Sequence, residues 1–367
     1  MPGSTPRIPD LSERQFERIL LVKPSSLGDV VHALPVLHGL RARYPQARID
    51  WLVGSAFAPL LEACAEVDRL VLFDRRRYRR LARDVSAVRD FVRFLRELRA
   101  ARYDLVVDLQ GLFRSGFLSR ATRAGVRLGL GSAREGARIF YTHTVPVDDR
   151  DAHAVDRNYC VAQALGFGHV PVTFGLTLPP AVRAEASDLL RGEGVGPTEP
   201  WVAVVPGARW ETKMWLPERF AAVIGRLQTD GRRCVLLGGP EDADLCAEIA
   251  ATAVSAPVNL AGRTQLGHLA ALVGTADVVL CHDSGAMHLA VAQDRPVVCL
   301  IGPTNPRRTG PYHRPHEVLQ IDLDCSPCYL RRRSQCAWEH RCMTELGVDA
   351  VVAAVHRALE RRSLQPA

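Results

Sequence analysis

"DVVLCHDSGAMHLAVAQDRPVVCLIG", residues 277–302, holds two apolar runs separated by one helical pattern. The runs "DVVLCH" (277–282) and "PVVCLIG" (296–302) are rich in β-branched residues and do not alternate with polar ones. A strand buried on both faces of a parallel sheet reads this way, and the segment between is long enough for one crossover helix. The stretch is therefore a strand–helix–strand unit. The same rhythm continues upstream in "WVAVV" (201–205), "RCVLLG" (233–238) and "PVNLA" (257–261), with helices around 217–229, 241–253, 265–275 and 285–293. The first half repeats it in "RILLVK" (18–23), "RIDWLV" (48–53), "RLVLF" (69–73), "YDLVVDL" (103–109) and "VRLGL" (126–130), with helical stretches at Asp29–Arg43 and Tyr78–Ala100. A proline-containing join, "LTLPPAVRA" (176–184), separates the halves. These patterns predict an α/β protein of two doubly wound, Rossmann-like domains facing each other across a cleft. The expected boundaries are an N-terminal extension over 1–17, domains over 18–178 and 179–345, and a C-terminal helix over 346–367.

A length of 367 residues with 47% hydrophobic and 24% charged residues is ordinary for a soluble globular enzyme. The longest charge-free stretch, Asn158–Val182, contains Gly166, Gly168, Gly175 and three prolines, which excludes a membrane-spanning helix there. "MPGSTPRIPDLSERQFER" at the start lacks the apolar core of a signal peptide. A cytoplasmic location is expected, with the ten cysteines reduced.

The net charge of +7 is uneven. Residues 1–178 carry 27 Lys and Arg against 19 Asp and Glu, whereas residues 179–367 carry 20 against 21. Eleven arginines lie within 69–99, among them "RRRYRR" at 75–80. Such a run is either a solvated helix face or a landing surface for an anionic partner: a phosphorylated lipid, membrane headgroups or nucleic acid. Only Lys23 and Lys213 are lysine, against 45 arginines, so lysine stands where a compact ammonium is wanted or survives by chance.

In doubly wound sheets ligands bind beyond the carboxyl ends of the strands, and the unusual residues fall in those loops. After the first strand comes "PSSLGD", in which Gly28 permits a tight turn and Asp29 is either a helix cap or a general base. "PGARWETKMWLPERF" (206–220) brings Lys213 to a helix opening at Pro217, as an exposed loop lysine or as a phosphate anchor. "GGPED" ends in Glu241 and Asp242, helix-capping acids or acceptors for ribose hydroxyls. Asp283, Ser284 and Gly285 open a helix whose dipole favours an anion, with His288 one turn on as a packed residue or a phosphate contact. G-x-G-x-x-G is absent after the first strand, so no dinucleotide fingerprint is present there.

Taken in order, "KPSSLGDVVHALP" (23–35), "DLQGLFRS" (108–115), "HAVDRN" (153–158), "TKMWLPERF" (212–220) and "HDSGAMHLAVAQDRPVVCLIGPTNP" (282–306) resemble the lipopolysaccharide heptosyltransferases of glycosyltransferase family 9. The resemblance runs from about residue 18 to 345, and the first half is most like the heptosyltransferase I branch. It implies a GT-B fold that transfers heptose from ADP-L-glycero-D-manno-heptose to the lipopolysaccharide inner core, with inversion and with no cofactor required for catalysis. In that reading Asp29 is the general base and Lys213 neutralises the departing diphosphate. Glu241 contacts the ribose, while Asp283, Ser284, Gly285 and His288 form the donor loop. Arg209 and Thr264 occupy donor-contact positions with residue types unlike the family's usual ones. Ser25, Ser26, Gly28, Gln110 and Arg114 fall on the acceptor side. The implied partners are ADP-heptose, an anionic lipopolysaccharide precursor and the cytoplasmic face of the inner membrane as a peripheral contact, with no nucleic acid.

"CSPCYLRRRSQCAWEHRC" departs from the heptosyltransferase I pattern. Cys325, Cys328, Cys336 and Cys342, with His340 nearby, are either reduced thiols in a loop or a closed structural site for zinc or iron. Similar clusters occur in other branches of the family, so the acceptor stays open between inner-core Kdo, a later core heptose and a protein serine. Two rival readings remain. One is another GT-B glycosyltransferase or a nucleotide-sugar epimerase using a different donor. The other is a noncatalytic nucleic-acid binder, against which the basic excess and the cysteines lie in different halves and aromatic residues make up only 6%.

Overall fold

The computed structural model describes residues 8–149 and 151–363. The chain divides into two compact units between Thr177 and Leu178. In the first, β1 (Arg18–Val22), β2 (Arg48–Gly54), β3 (Arg69–Phe73), β4 (Leu105–Asp108), β5 (Val126–Leu130) and β6 (His143–Val145) form one sheet in the order β3-β2-β1-β4-β5-β6. In the second, β7 (Trp201–Val205), β8 (Arg233–Leu236), β9 (Val258–Asn259), β10 (Val278–His282), β11 (Val297–Ile301) and β12 (Val318–Gln320) are ordered β12-β11-β10-β7-β8-β9. All ladders are parallel. Each sheet has the doubly wound order, which reverses between β1 and β4 in one and between β7 and β10 in the other; ligand sites of such sheets lie at these switch points.

The central strands are apolar because helices cover both faces. β7, β10 and β11 are buried along their whole length, as is β4. The helical stretch Asp29–Arg43, in which Pro35 is expected to kink the helix or mark its true first turn, is two helices, Leu27–Val31 and Leu34–Arg43, with Pro35 in the first turn of the second. The expected helix at Tyr78–Ala100 likewise breaks. A short helix Arg75–Tyr78 precedes Val85–Ala100, whose N-terminus Asp84 caps by accepting from Ser86 N and Ala87 N.

The described part of the expected extension, 8–17, packs onto the first unit: Leu11 and Phe16 are buried, and Phe16 meets Tyr44 edge to face. Residues 1–7 lie outside the described residues. The C-terminal helix runs Val348–Ser363 and puts Val351, Val355 and Ala358 into the core of the second unit beside Trp215, Phe220 and Leu280; residues 364–367 of the expected span also lie outside the described residues. Among the described residues no helix is long and apolar enough to cross a membrane.

Candidate functional site

Each switch point holds one of the two lysines, and each lysine faces an aspartate. In the first unit, Lys23 directly follows β1 and is buried. Its Nζ donates to the Leu109 carbonyl, just past β4, at 2.7 Å and lies 3.4 Å from Asp29 Oδ1. Asp29 Oδ2 accepts from Ser26 N at 2.8 Å and from Ser26 Oγ at 2.9 Å. The acid is thus both a helix cap and partly exposed, with 40% of its side chain accessible. Burial works to raise its pKa, but the Lys23 ammonium and the Ser26 donors outweigh that and hold it below the usual carboxylate range.

Gln110 Oε1 accepts from Ser25 N at 3.3 Å, tying the loop after β4 to the loop after β1. That second loop is shaped by Asp108, which accepts from Gln110 N, Gly111 N and Tyr141 OH. Gly111 takes φ of +65° there, and a Cβ would lie 3.2 Å from Ala133 Cα, so only glycine suits the turn. The tight turn expected at Gly28 is not found: Gly28 lies in the helical backbone of Leu27–Val31 and has no positive φ. Arg114 is exposed, its guanidinium 5.9 Å from the centre of the Phe73 ring.

In the second unit the loop after β7 carries Lys213, whose Nζ donates to Asp283 Oδ2 at 2.7 Å and to the Asp283 carbonyl at 2.9 Å. The ammonium also lies 4.7 Å from the centre of the Trp210 ring. Thr304 Oγ1 and Thr309 Oγ1, from the loop after β11, donate to the same Asp283 Oδ2 at 2.7 and 3.2 Å. Burial opposes the charge on Asp283, yet Lys213, His288 and the Thr304 hydroxyl keep its pKa below the ordinary value. His282 beside it is fully buried. Desolvation, with Lys213 adding to it, pushes His282 down to about 3, so the ring is neutral and its Nε2 accepts from Trp215 N at 2.9 Å. The aspartate and histidine thus hold the Lys213 loop at two points.

The remaining residues expected at the donor sit on the same carboxyl edge. Ser284 begins the helix Gly285–Ala292 without a side-chain cap bond, and its Oγ is buried with no hydrogen-bond partner. Thr264 Oγ1, in the loop after β9, is buried and unpartnered in the same way. Two such hydroxyls cost roughly 1–3 kcal/mol each unless a ligand or an ordered water satisfies them. Glu241, after β8, is exposed, whereas Asp242 accepts from Gly239 N at 3.0 Å and packs so closely that a Cβ on Gly207 would meet its Oδ1 at 2.1 Å. Of the two acids in "GGPED", Asp242 is therefore the structural one and Glu241 the one presented outward. His288 is buried in the first helical turn, and Arg209 is exposed on the Lys213 loop. Sequence reasoning missed His282, Trp210, Thr304 and Thr309.

Burial first, then the neighbouring Cys328, Cys336 and Cys325, push the Cys342 thiol up to about 11. Four thiols are a suitable donor set for zinc or iron. Among the described residues, however, no group of three or more His, Cys, Asp or Glu side chains is arranged to hold a metal ion. None of the ten cysteines is joined in a disulfide.

The profile of "Glycosyltransferase family 9 (heptosyltransferase)" matches residues 91–339. The chain is 33% identical over 317 residues to lipopolysaccharide heptosyltransferase 1 of Pseudomonas aeruginosa, covering 85% of this chain and 86% of that one. Among solved structures, a glycosyl transferase family 9 protein from Veillonella parvula superposes with a TM-score of 0.83 at 25% identity, over 95% of this chain and 99% of that one. The E. coli heptosyltransferase WaaC with ADP-2-deoxy-2-fluoro heptose superposes with a TM-score of 0.70 at 26% identity, over 93% and 99%. The two doubly wound sheets are those of the GT-B heptosyltransferases. The chain belongs to glycosyltransferase family 9, the heptosyltransferases.

Proposed function

We propose that the protein transfers heptose from ADP-L-glycero-D-manno-heptose to the lipopolysaccharide inner core with inversion, the second unit binding the donor and the first the acceptor. The observation that carries the donor assignment is the carboxyl edge of the second sheet. Lys213 is held against Asp283 there, and the Ser284 and Thr264 hydroxyls are buried without partners. A diphosphate offers acceptor oxygens to both the ammonium and the orphan hydroxyls, and the helix opening at Gly285 adds its dipole. Glu241, presented outward after β8, suits ribose hydroxyls.

The acceptor hydroxyl attacks the anomeric carbon from the face opposite ADP, and Asp29 takes its proton. The bond to the diphosphate breaks, and Lys213 neutralises the charge that develops on the leaving ADP. Asp29 is a weak base but an ionised one at neutral pH, because Lys23 and Ser26 lower its pKa. That suffices when the hydroxyl becomes acidic only as the new bond forms.

The first unit also carries the surface suited to an anionic lipid-linked acceptor. Arg75, Arg76, Arg79 and Arg80 are exposed. Arg77 differs: it pairs with Asp84 and Asp90 and braces the turn before Val85. Val85, Val88, Phe113 and Ile139 add exposed apolar surface on the same unit, supporting peripheral contact with the cytoplasmic face of the inner membrane.

Calorimetric titration with ADP, UDP and GDP tests the donor assignment. ADP alone should bind, and Asp283→Ala should abolish binding; a preference for UDP or GDP would move the chain to a different donor.

A further inference from the structure

The cysteine-bearing segment 325–342 is not a slack loop. It ties together the two loops that meet at Asp283. On the Lys213 side, His340 Nε2 donates to the Thr212 carbonyl at 2.7 Å, and Thr212 Oγ1 donates to the Leu330 carbonyl. Arg333 N donates to Glu211 Oε2 and its Nη2 to the Met214 carbonyl, both at 3.2 Å. The Arg331 guanidinium lies 5.0 Å from the centre of the same Trp210 ring that the Lys213 ammonium approaches. On the other side, Ser326 Oγ donates to the Gly302 carbonyl at 2.7 Å and Tyr329 N to the Pro303 carbonyl at 2.9 Å. A Cβ on Gly302 would lie 2.9 Å from Cys342 Sγ, so the end of the segment seats directly on that loop.

The backbone gives an independent indication. Glu339 and His340 take φ of 50° and 60°, the left-handed region that non-glycine residues rarely enter. Two consecutive residues held there, the second of them buried, mark a conformation imposed by its surroundings. Its result is to aim the imidazole at the residue before Lys213.

We propose that segment 325–342 is a strap that sets the position of Lys213, with His340 as its positioning residue, acting through the Thr212 carbonyl. The inference rests on the reading of Lys213 as the diphosphate contact. It gives the cysteine-rich insertion a task at the donor site whether or not the thiols take a metal.

The test is ADP binding by calorimetry on the full chain, using His340→Ala, His340→Gln, Arg333→Ala, Lys213→Ala and the double variant of His340→Ala with Lys213→Ala. His340→Ala should weaken ADP binding about tenfold by releasing a buried carbonyl. The glutamine, which keeps a donor, should recover most of that loss. In the Lys213→Ala background His340→Ala should cost nothing more, because coupled residues are not additive. Wild-type affinity in His340→Ala, no recovery by glutamine, or a full further loss in the double variant would each overturn the proposal. If His340→Ala fails to fold, the exposed Arg333→Ala decides: about threefold weaker binding supports the strap, and unchanged binding overturns it. Wild-type affinity in Lys213→Ala would sink the diphosphate reading and the strap together. A weakened Lys213→Ala beside an unaffected His340→Ala would sink the strap alone.

Discussion

Lys23 Nζ lies 3.4 Å from Asp29 Oδ1 while donating to the Leu109 carbonyl at 2.7 Å, so one buried ammonium joins the loops after β1 and β4 and sets the charge state of the acid. The opposite charge favours the ionised form, and removing it must raise the Asp29 pKa. Activity that needs Asp29 ionised is present above its pKa and lost as pH falls through it. Lys23→Met should therefore move the acid limb of the kcat/KM profile to higher pH. An unmoved acid limb in that variant would separate Lys23 from the titrating group.

The orphan hydroxyls of Ser284 and Thr264 predict opposite effects on folding and on binding. Ser284→Ala and Thr264→Ala remove buried groups that have no partner in the free protein, so the ligand-free Tm should hold or rise. ADP affinity should fall several-fold, as expected for the loss of one hydrogen bond. Thermal melts with and without ADP check both signs, and a clear drop in the ligand-free Tm would mean that the hydroxyls serve the fold instead.

The arginine run is not uniform. Charge reversal at the exposed Arg75, Arg76 and Arg79 should raise the KM for a lipid-linked acceptor and leave ADP affinity unchanged. Arg77→Ala should lower stability instead, because its guanidinium bridges Asp84 and Asp90. Equal losses on both substrates in the triple variant would point to misfolding rather than to acceptor contact.

Among the four clustered cysteines, exposed Cys328 should react first with a thiol reagent under native conditions, and buried Cys342, its pKa pushed up to about 11, last. Mass spectrometry of the modified protein gives the order. Four thiols equally protected until a chelator is added would show a closed metal site in place of free thiols.

The regular part of the fold was legible because buried parallel strands leave continuous apolar runs: β7, β10 and β11 are such runs, and so are the first-unit strands around β1. Two of the four edge strands escaped notice. β6 and β12 are only three residues each and incompletely buried, so no apolar run marks them. Pro35 announced the break in the first long helix, whereas nothing in the sequence marked the one at the Asp84 cap. The site was half visible. Asp29, Lys213 and Asp283 stand directly after strands, where loop position announces them. His282, Thr304 and Thr309 act through partners far along the chain, and spacing carries no trace of such contacts. His340 was visible only as a neighbour of cysteines, and its role depends on a carbonyl 128 positions away.

Heptosyl transfer from ADP-heptose to a Kdo-bearing lipid acceptor, comparing wild type with Asp29→Asn and measuring ADP release beside ADP affinity, tests the account most directly. The wild type should form the heptosylated lipid. The variant should turn over about 10² times more slowly or worse, with ADP affinity little changed. Wild-type turnover in Asp29→Asn, or no transfer from ADP-heptose by the wild type, would contradict the account.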